Sequence, residues 1–251
     1  NRMGLTRWLL DPRHPLTARV QVNRLWMQVF GTGLVDTPEN FGVQGNAPKL
    51  QRVLDQLAVD FATGAGVAEQ RWNNRYLLKR LVMSSTFRQS SRASAAKRAL
   101  DPLNAAWSRG PATRVSAEML RDLALEASGQ RNDRWGGPSS KPWQPEGLWH
   151  EAGQIGNYVP DMGTDARRRA LYTYRKRTVP PPNMSVWDAG PREACVARRS
   201  VTTTPLQSLT IFNDRVYLDT ARATARRVMR EAHTTPARIE RLYRLVCTTE
   251  P

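Results

Sequence analysis

The residues with chemistry to offer gather around one stretch, Arg198-Arg199-Ser200-Val201-Thr202-Thr203-Thr204-Pro205-Leu206-Gln207. Thr204 fits a helix N-cap, since its hydroxyl can accept from a backbone N–H of the first turn. Pro205 fits the first helical position, where no N–H is needed. Gln207 then stands at the third position and can reach back, completing a Thr-x-x-Gln capping box. A capped helix start flanked by Arg198 and Arg199, with Thr202, Thr203 and Thr204 supplying hydroxyls, suits an anion. It equally suits a well-capped structural helix. Upstream, Arg175 and Arg177 add two more forked cations able to grip carboxylate, sulfate or phosphate. Candidate acid–base groups are Asp188 and Glu118, the latter four residues from Asp122 on one helix side. The alternative for that pair is a solvated helix face gripped by arginine. Cys195 is a weak redox or nucleophilic candidate, because a lone cysteine is usually inert when buried.

The elements that position these groups are mostly helical. A helix is expected from about His14 to Phe30, with Gly31 closing it. Its helical-spacing face reads Leu16, Arg19, Val20, Asn23, Trp26, Met27, Phe30. Arg19 and Asn23 therefore belong to a structural polar core, and Asn23 is expected to bond another segment. A loop of turns from Gly31 to Gly45 follows, without phosphate-loop spacing. Pro48 opens a second helix to Gly64, and Asn74 caps a third. The stretch from Ser90 to Pro111 reads as a polar surface connection.

Ser116 caps a helix carrying Met119, Leu120, Leu123, Ala124 and Ala127, ended by Gly129. The Gly/Pro/Trp-rich segment from Gly136 to Trp149 is irregular, with tryptophans suited to stacking on sugars or bases or to plugging a core. Ala170 to Arg177 alternates as one strand of a small β-hairpin. The last long helix is expected from Pro205 to about Ala232, with Leu206, Leu209, Thr210, Asn213, Tyr217, Thr220, Ala221, Thr224 and Val228 inward. Asn213 would then join the polar core, its helix packed against that of Asn23. A final helix covers about Pro236 to Val246.

The expectation is a mainly α, irregular multi-helix domain with long Gly/Pro/Trp-rich loops and one small β-hairpin. It is read as a single domain over 1–251, subdivided at 1–92 and 112–251, and as a fragment of a longer protein. At 251 residues and 40% hydrophobic content the chain can bury a sizeable core. No apolar run approaches the roughly 18 residues that span a bilayer. Lys and Arg number 38 against 22 Asp and Glu, a net charge of +16 that predicts attraction to polyanions. Cys195 and Cys247 are the two cysteines, and whether they pair is not readable from spacing. No Cys-x-x-Cys or His-x-x-x-His spacing occurs, so no metal site or attached haem is expected in this chain.

Several stretches in order carry a resemblance. They are Asn-Arg-Leu-Trp (23–26), Phe-Gly-Thr-Gly-Leu-Val (30–35), Asn-Phe-Gly-Val-Gln-Gly (40–45) and Ser-Ser-Thr-Phe-Arg-Gln-Ser-Ser (84–91). Later come Ser-Ala-Glu-Met-Leu-Arg-Asp (116–122), Gly-Gly-Pro (136–138), Gln-Pro-Glu-Gly-Leu-Trp (144–149), Arg-Arg-Ala-Leu-Tyr-Thr-Tyr-Arg-Lys-Arg (168–177) and Arg-Arg-Ser-Val-Thr-Thr-Thr-Pro-Leu-Gln-Ser-Leu (198–209). Together they resemble the planctomycete domain of unknown function numbered fifteen-fifty-three, over nearly the whole chain. The chain departs from that pattern around Ala47-Pro48-Lys49, in the segment Gly64 to Gln70, and at Arg71-Trp72.

The resemblance implies a C-terminal module of large exported proteins, periplasmic, cell-surface or secreted, often beside a cytochrome-c-like module that would hold any haem. Its partners would be other domains of the same polypeptide, and the net charge of +16 adds a polyanionic glycan as a further candidate partner. The resemblance carries no activity. Three functions are therefore expected to compete: a module that binds or acts on an anionic ligand, a non-catalytic scaffold, and a nucleic-acid binder.

Overall fold

The structure, a computed structural model, describes residues 1–11, 13–153, 155–190 and 192–251. Eleven α-helices are found among them: α1 (Arg2–Leu9), α2 (Thr17–Phe30), α3 (Gln51–Thr63), α4 (Asn74–Val82), α5 (Ala95–Leu100), α6 (Ala117–Ser128), α7 (Leu148–Glu151), α8 (Pro182–Ser185), α9 (Pro205–Asn213), α10 (Arg215–Glu231) and α11 (Thr235–Val246). The chain divides into two compact units. The first holds Asn1–Thr113 and Val196–Arg198, the second Arg114–Cys195 and Arg199–Pro251.

The first unit is built where the sequence signals are strongest. Gly31 stops α2 at φ 78° and returns its N–H to Met27. Gly64 stops α3 in the left-handed region at φ 73°. Asn73, rather than Asn74, caps α4 by accepting from the Tyr76 N–H at 3.1 Å. Helix α2 packs on α3 and α4. The core between them holds Val22, Leu25, Trp26, Phe30, Leu54, Phe61, Leu77 and Leu81. Leu16, expected inward, is exposed.

The stretch expected as a connection, 90–111, belongs to this unit. Trp107 is buried, and its ring meets Trp26 edge-on at 5.2 Å. One large aromatic in an otherwise polar segment is enough to fasten it, because a Trp ring buries far more apolar area than its neighbours.

In the second unit α6 lies against α10, and α10 also contacts α9 and α11. Ser116 caps α6 by accepting from the Met119 N–H at 3.2 Å, and Gly129 ends it at φ 71°. The buried stripe of α6 is Ala117, Arg121, Leu125 and Ser128; Met119 and Leu123 are exposed. The face is thus turned from the one the largest side chains suggest, with Arg121 at its centre.

The expected single long helix is two. Asp214, at φ −69° and ψ 129°, interrupts it and caps α10 by accepting from the Val216 N–H at 2.8 Å. An Asx residue that can bond the backbone locally starts a helix more readily than it continues one. The break re-phases the two faces. Gln207, Tyr217, Thr220, Thr224 and Val228 are buried, while Leu206, Leu209, Asn213 and Ala221 are exposed. Asn213 is therefore not a core residue. Its amide donates to the Leu209 carbonyl of its own helix, 2.8 Å away.

No β-hairpin forms among the described residues. Residues 170–172 make a 3-10 turn, and the only pairings among those residues are isolated parallel bridges, Asn132 with Arg168 and Ser140 with Thr173. Side chains claim the backbone that a ladder would use. Asp122 accepts from the Ala170 N–H at 2.6 Å. The buried Arg168 guanidinium donates to the carbonyls of Arg134, Gly136 and Pro138 and lies 3.8 Å from the Tyr172 ring centroid. Alternation of residue types does not survive such competition.

Candidate functional site

The threonine stretch from Arg199 onward is part of a polar hub within the second unit. Asp188, at φ 58°, turns its carboxylate toward Thr202. It accepts from the Thr202 N–H at 2.9 Å and from the Thr202 hydroxyl at 2.9 Å. Arg114 pairs with the same carboxylate, donates to the Thr202 carbonyl at 2.7 Å, and lies over the Trp187 ring at 5.2 Å. The Thr204 N–H donates to Gln207 Oε1 at 3.3 Å, the return half of the expected capping box. Buried Gln207 then donates to the Val186 carbonyl at 3.1 Å and the Thr202 carbonyl at 3.2 Å.

Of the candidate ligand groups, these bonds engage Thr202 and Thr204. The Thr202 backbone N–H hydrogen bond holds the Asp188 carboxyl below its usual range, and the Arg114 guanidinium works the same way against burial. Burial alone would raise Glu118, but Arg199, bonded to it at 2.7 Å, leaves it lowered. Carboxylates held ionised by fixed cations are poor proton shuttles near neutrality. Arg175 is lowered by burial and by the nearby Arg192, and it donates to the Ala189 carbonyl at 3.4 Å. Arg177, Arg198, Thr203 and Thr204 are exposed, and Arg198 falls with the first unit. Cys195 and Cys247 are exposed free thiols.

Arg19 and Asn23 lie in the first unit. Arg19 bonds Asp55 at 2.6 Å. Asn23, 1% exposed, gives its amide to the Val35 carbonyl at 3.0 Å and accepts from the Val35 N–H at 2.9 Å. This is the cross-segment staple expected of it. Asn213 is in the other unit.

The larger opportunity lies elsewhere in the second unit. A cavity of about 800 Å³ is bounded by the 142–163 loop, α6 and the start of α10. That volume is in the range that takes a small ligand. Pro142 and Pro145 stiffen the loop, and the Tyr158 hydroxyl closes it by donating to the Pro142 carbonyl at 2.6 Å. Arg121, 4% exposed, lines the cavity from α6; one of its amino groups donates to the Ala166 carbonyl at 2.8 Å.

Three lining donors have no hydrogen-bond acceptor among the described residues: Arg121 Nε, Gln144 Nε2 and Trp149 Nε1. Leaving a buried donor unpaired costs about 1–3 kcal/mol. Buried nitrogens without an acceptor also occur outside this lining, at Arg114 Nε, Arg175 Nε and Trp187 Nε1, so what distinguishes the cavity is its volume together with the three such residues that line it. Arg167 and Arg215 add charge at the same cavity, while Asp161, Glu146 and Asp219 oppose it. Asp161 is partly spent, since it accepts from the Lys141 N–H at 2.7 Å.

Behind Arg121 the surroundings resist ionisation. Burial pushes the Tyr217 hydroxyl up to about 12, helped by the neighbouring Asp214 charge. Burial likewise raises Tyr158 and Asp214. The Arg121 guanidinium is disfavoured by burial and supported by Tyr217, Asp122, Asp214 and Tyr158.

On this helix the sequence pattern pointed to Glu118, and Arg121, Gln144 and Tyr158 went without a role at the site, whereas Trp149 was among the tryptophans suited to stacking or to plugging a core. The signal for Arg121 was its place between Ala117 and Leu125 at four-residue spacing. Small and apolar residues one turn either side of an arginine mark it as inward-facing.

The fold and this cavity define a mainly helical, basic module with a donor-rich pocket. Among the described residues no cluster of His, Cys, Asp and Glu could hold a metal ion, and no helix is long and apolar enough to cross a membrane. The chain belongs to the family described as PSD1, Protein of unknown function (DUF1553), which matches residues 1–251. No curated protein and no solved structure matches it.

Proposed function

We propose that this chain is a binding module for an anionic carbohydrate, part of an exported, periplasmic or cell-surface multidomain protein of planctomycete type. The observation that carries the reading is a cavity of about 800 Å³ lined by Arg121, Gln144 and Trp149, each of which also has a buried nitrogen without a hydrogen-bond acceptor among the described residues. A guanidinium in low dielectric is strong recognition for carboxylate or sulfate. Half-buried Trp143 in the same wall supplies aromatic surface for a pyranose, beside Trp149, whose ring has the Lys176 ammonium 4.2 Å from its centroid. The net charge of +16 supports the same ligand sign. Partner domains of the same polypeptide, including a cytochrome-c-like module holding haem, come from the resemblance alone.

The test is tryptophan fluorescence or calorimetry with galacturonate and glucosamine 6-sulfate, set against their uncharged parent sugars. Binding of a charged sugar, weakened at least tenfold in Arg121→Gln with its folded circular dichroism kept, supports the reading. Gln144→Leu is a second variant should Arg121→Gln fail to fold. Equal binding of the uncharged sugars, or none by any sugar at low salt, overturns it. Double-stranded DNA bound more tightly than every glycan would favour nucleic acid instead. The scaffold reading draws on a different observation. In the Asp188–Thr202–Gln207 hub the three side chains are joined through Thr202 and tied to neighbouring backbone, which suits structure better than chemistry.

A further inference from the structure

A second pocket, of about 400 Å³, adjoins the first, and Asp161 lines both. Its cationic walls are Arg134, Lys141 and Arg168. Arg168 is 1% exposed, and its Nε has no acceptor among the described residues although its other nitrogens are bonded. Asp165 also lines this pocket, 3.5 Å from Arg134. The ridge between the pockets is a backbone clasp. The Asp161 N–H donates to the Lys141 carbonyl at 2.8 Å, and the Lys141 N–H donates to the Asp161 carboxylate at 2.7 Å.

Aromatic rings run across this ridge. Tyr174 lines the second pocket, with the Lys141 ammonium 5.4 Å from its ring centroid. The Tyr174 ring lies 6.1 Å from that of Trp149, which lies 5.4 Å from that of Tyr158. Trp149 and Tyr158 both line the first pocket.

We infer that the two pockets are successive subsites for one chain, so that the ligand is an acidic oligosaccharide bearing charge on more than one residue. The inference rests on the anionic-carbohydrate reading and deepens it. Each pocket is lined by a buried arginine, Arg121 in the first and Arg168 in the second, and ring contacts run from Tyr174 in the second to Trp149 and Tyr158 in the first. A monosaccharide fills one pocket. A chain fills both, and its second contact forms at the high effective concentration set by the first. The carboxylate that both pockets share is already engaged by the Lys141 N–H, so it opposes a passing anion less than a free carboxylate would.

The experiment compares galacturonate with tetragalacturonate, and glucosamine 6-sulfate with a heparin tetrasaccharide, on the full chain. The tetrasaccharide of the preferred chemistry is expected to bind at least tenfold tighter than its monosaccharide. Arg134→Ala combined with Lys141→Ala should remove that gain and leave the monosaccharide affinity unchanged. Arg75→Ala with Lys79→Ala, on exposed positions of α4 that line neither pocket, deletes the same charge and should keep the gain. If the monosaccharide binds in an Arg121-dependent way but the tetrasaccharide is no tighter, the subsite inference fails and the first reading stands. The subsite inference also fails, with the first reading intact, if the gain survives the Arg134 and Lys141 changes. If neither sugar binds, both fall.

Discussion

Asn23 shows how much one polar side chain can settle. Its amide closes both backbone groups of Val35 inside the first core, so a change to Ala strands two buried groups at once. We expect Asn23→Ala to destabilise the first unit by about 1–3 kcal/mol, read by urea denaturation with hydrogen exchange at the Val35 amide. Gly33 is tied to the same staple, since a Cβ there would stand 2.7 and 2.8 Å from the Asn23 amide atoms. Gly33→Ala should accordingly cost stability comparable to losing the staple.

Two carboxylates of the second unit carry opposite signs. Asp188 is held below its ordinary 3.8, so its contribution is present at neutral pH and lost as pH falls through the lowered value. Asp188→Asn, which keeps a residue tolerant of positive φ, should destabilise at pH 7 and lose its effect in acid. Burial raises Asp214, so ionising it opposes folding, and stability falls as pH rises from 3.8 through the raised value. Asp214→Asn retains a capping side chain and should raise the neutral-pH melting temperature or leave it unchanged. A large loss would show that the charge itself is needed beside Arg121.

At the scale of elements, the start of α9 is organised by Gln207 more than by the threonines before it. Gln207 ties the Val186 and Thr202 carbonyls to its own turn. Gln207→Ala should loosen residues 186–204, seen as faster amide exchange at Thr202 and Thr204 with α10 unaffected. Retained protection there would mean that the Asp188–Arg114 pair suffices. The Asn213–Asp214 pair is a legible start signal for α10, hidden because an apolar register runs straight through it. The tyrosine-rich stretch has an alternating pattern but forms no strand. Asp122 and Arg168 lie 48 and 30 residues from the backbone groups they capture at Ala170 and Pro138, a pairing no local pattern displays.

At the scale of the whole molecule, charge is the dominant fact. A net charge of +16 raises the local concentration of any polyanion and makes its capture dependent on salt. Binding of the tetrasaccharide should therefore weaken steeply between low and physiological ionic strength. Binding of a neutral oligosaccharide should not change. A salt-independent affinity would place the recognition in the aromatic wall instead of the arginines.

The sequence by itself determined the helical class, the caps at Ser116, Gly31, Gly64 and Gly129, the Asn23 staple and the family, because each rests on residues near in sequence or on ordered motifs. It also singled out Glu118, Asp188, Arg199 and Thr202, and these do interact in the pairs Glu118–Arg199 and Asp188–Thr202. Only the tertiary structure decided that those pairs form, and that Arg121, Gln144 and Trp149, each with a buried nitrogen lacking an acceptor, line one cavity. The reason is physical. Whether a polar group is satisfied depends on which distant segment reaches it first, and spacing along the chain carries no record of that competition.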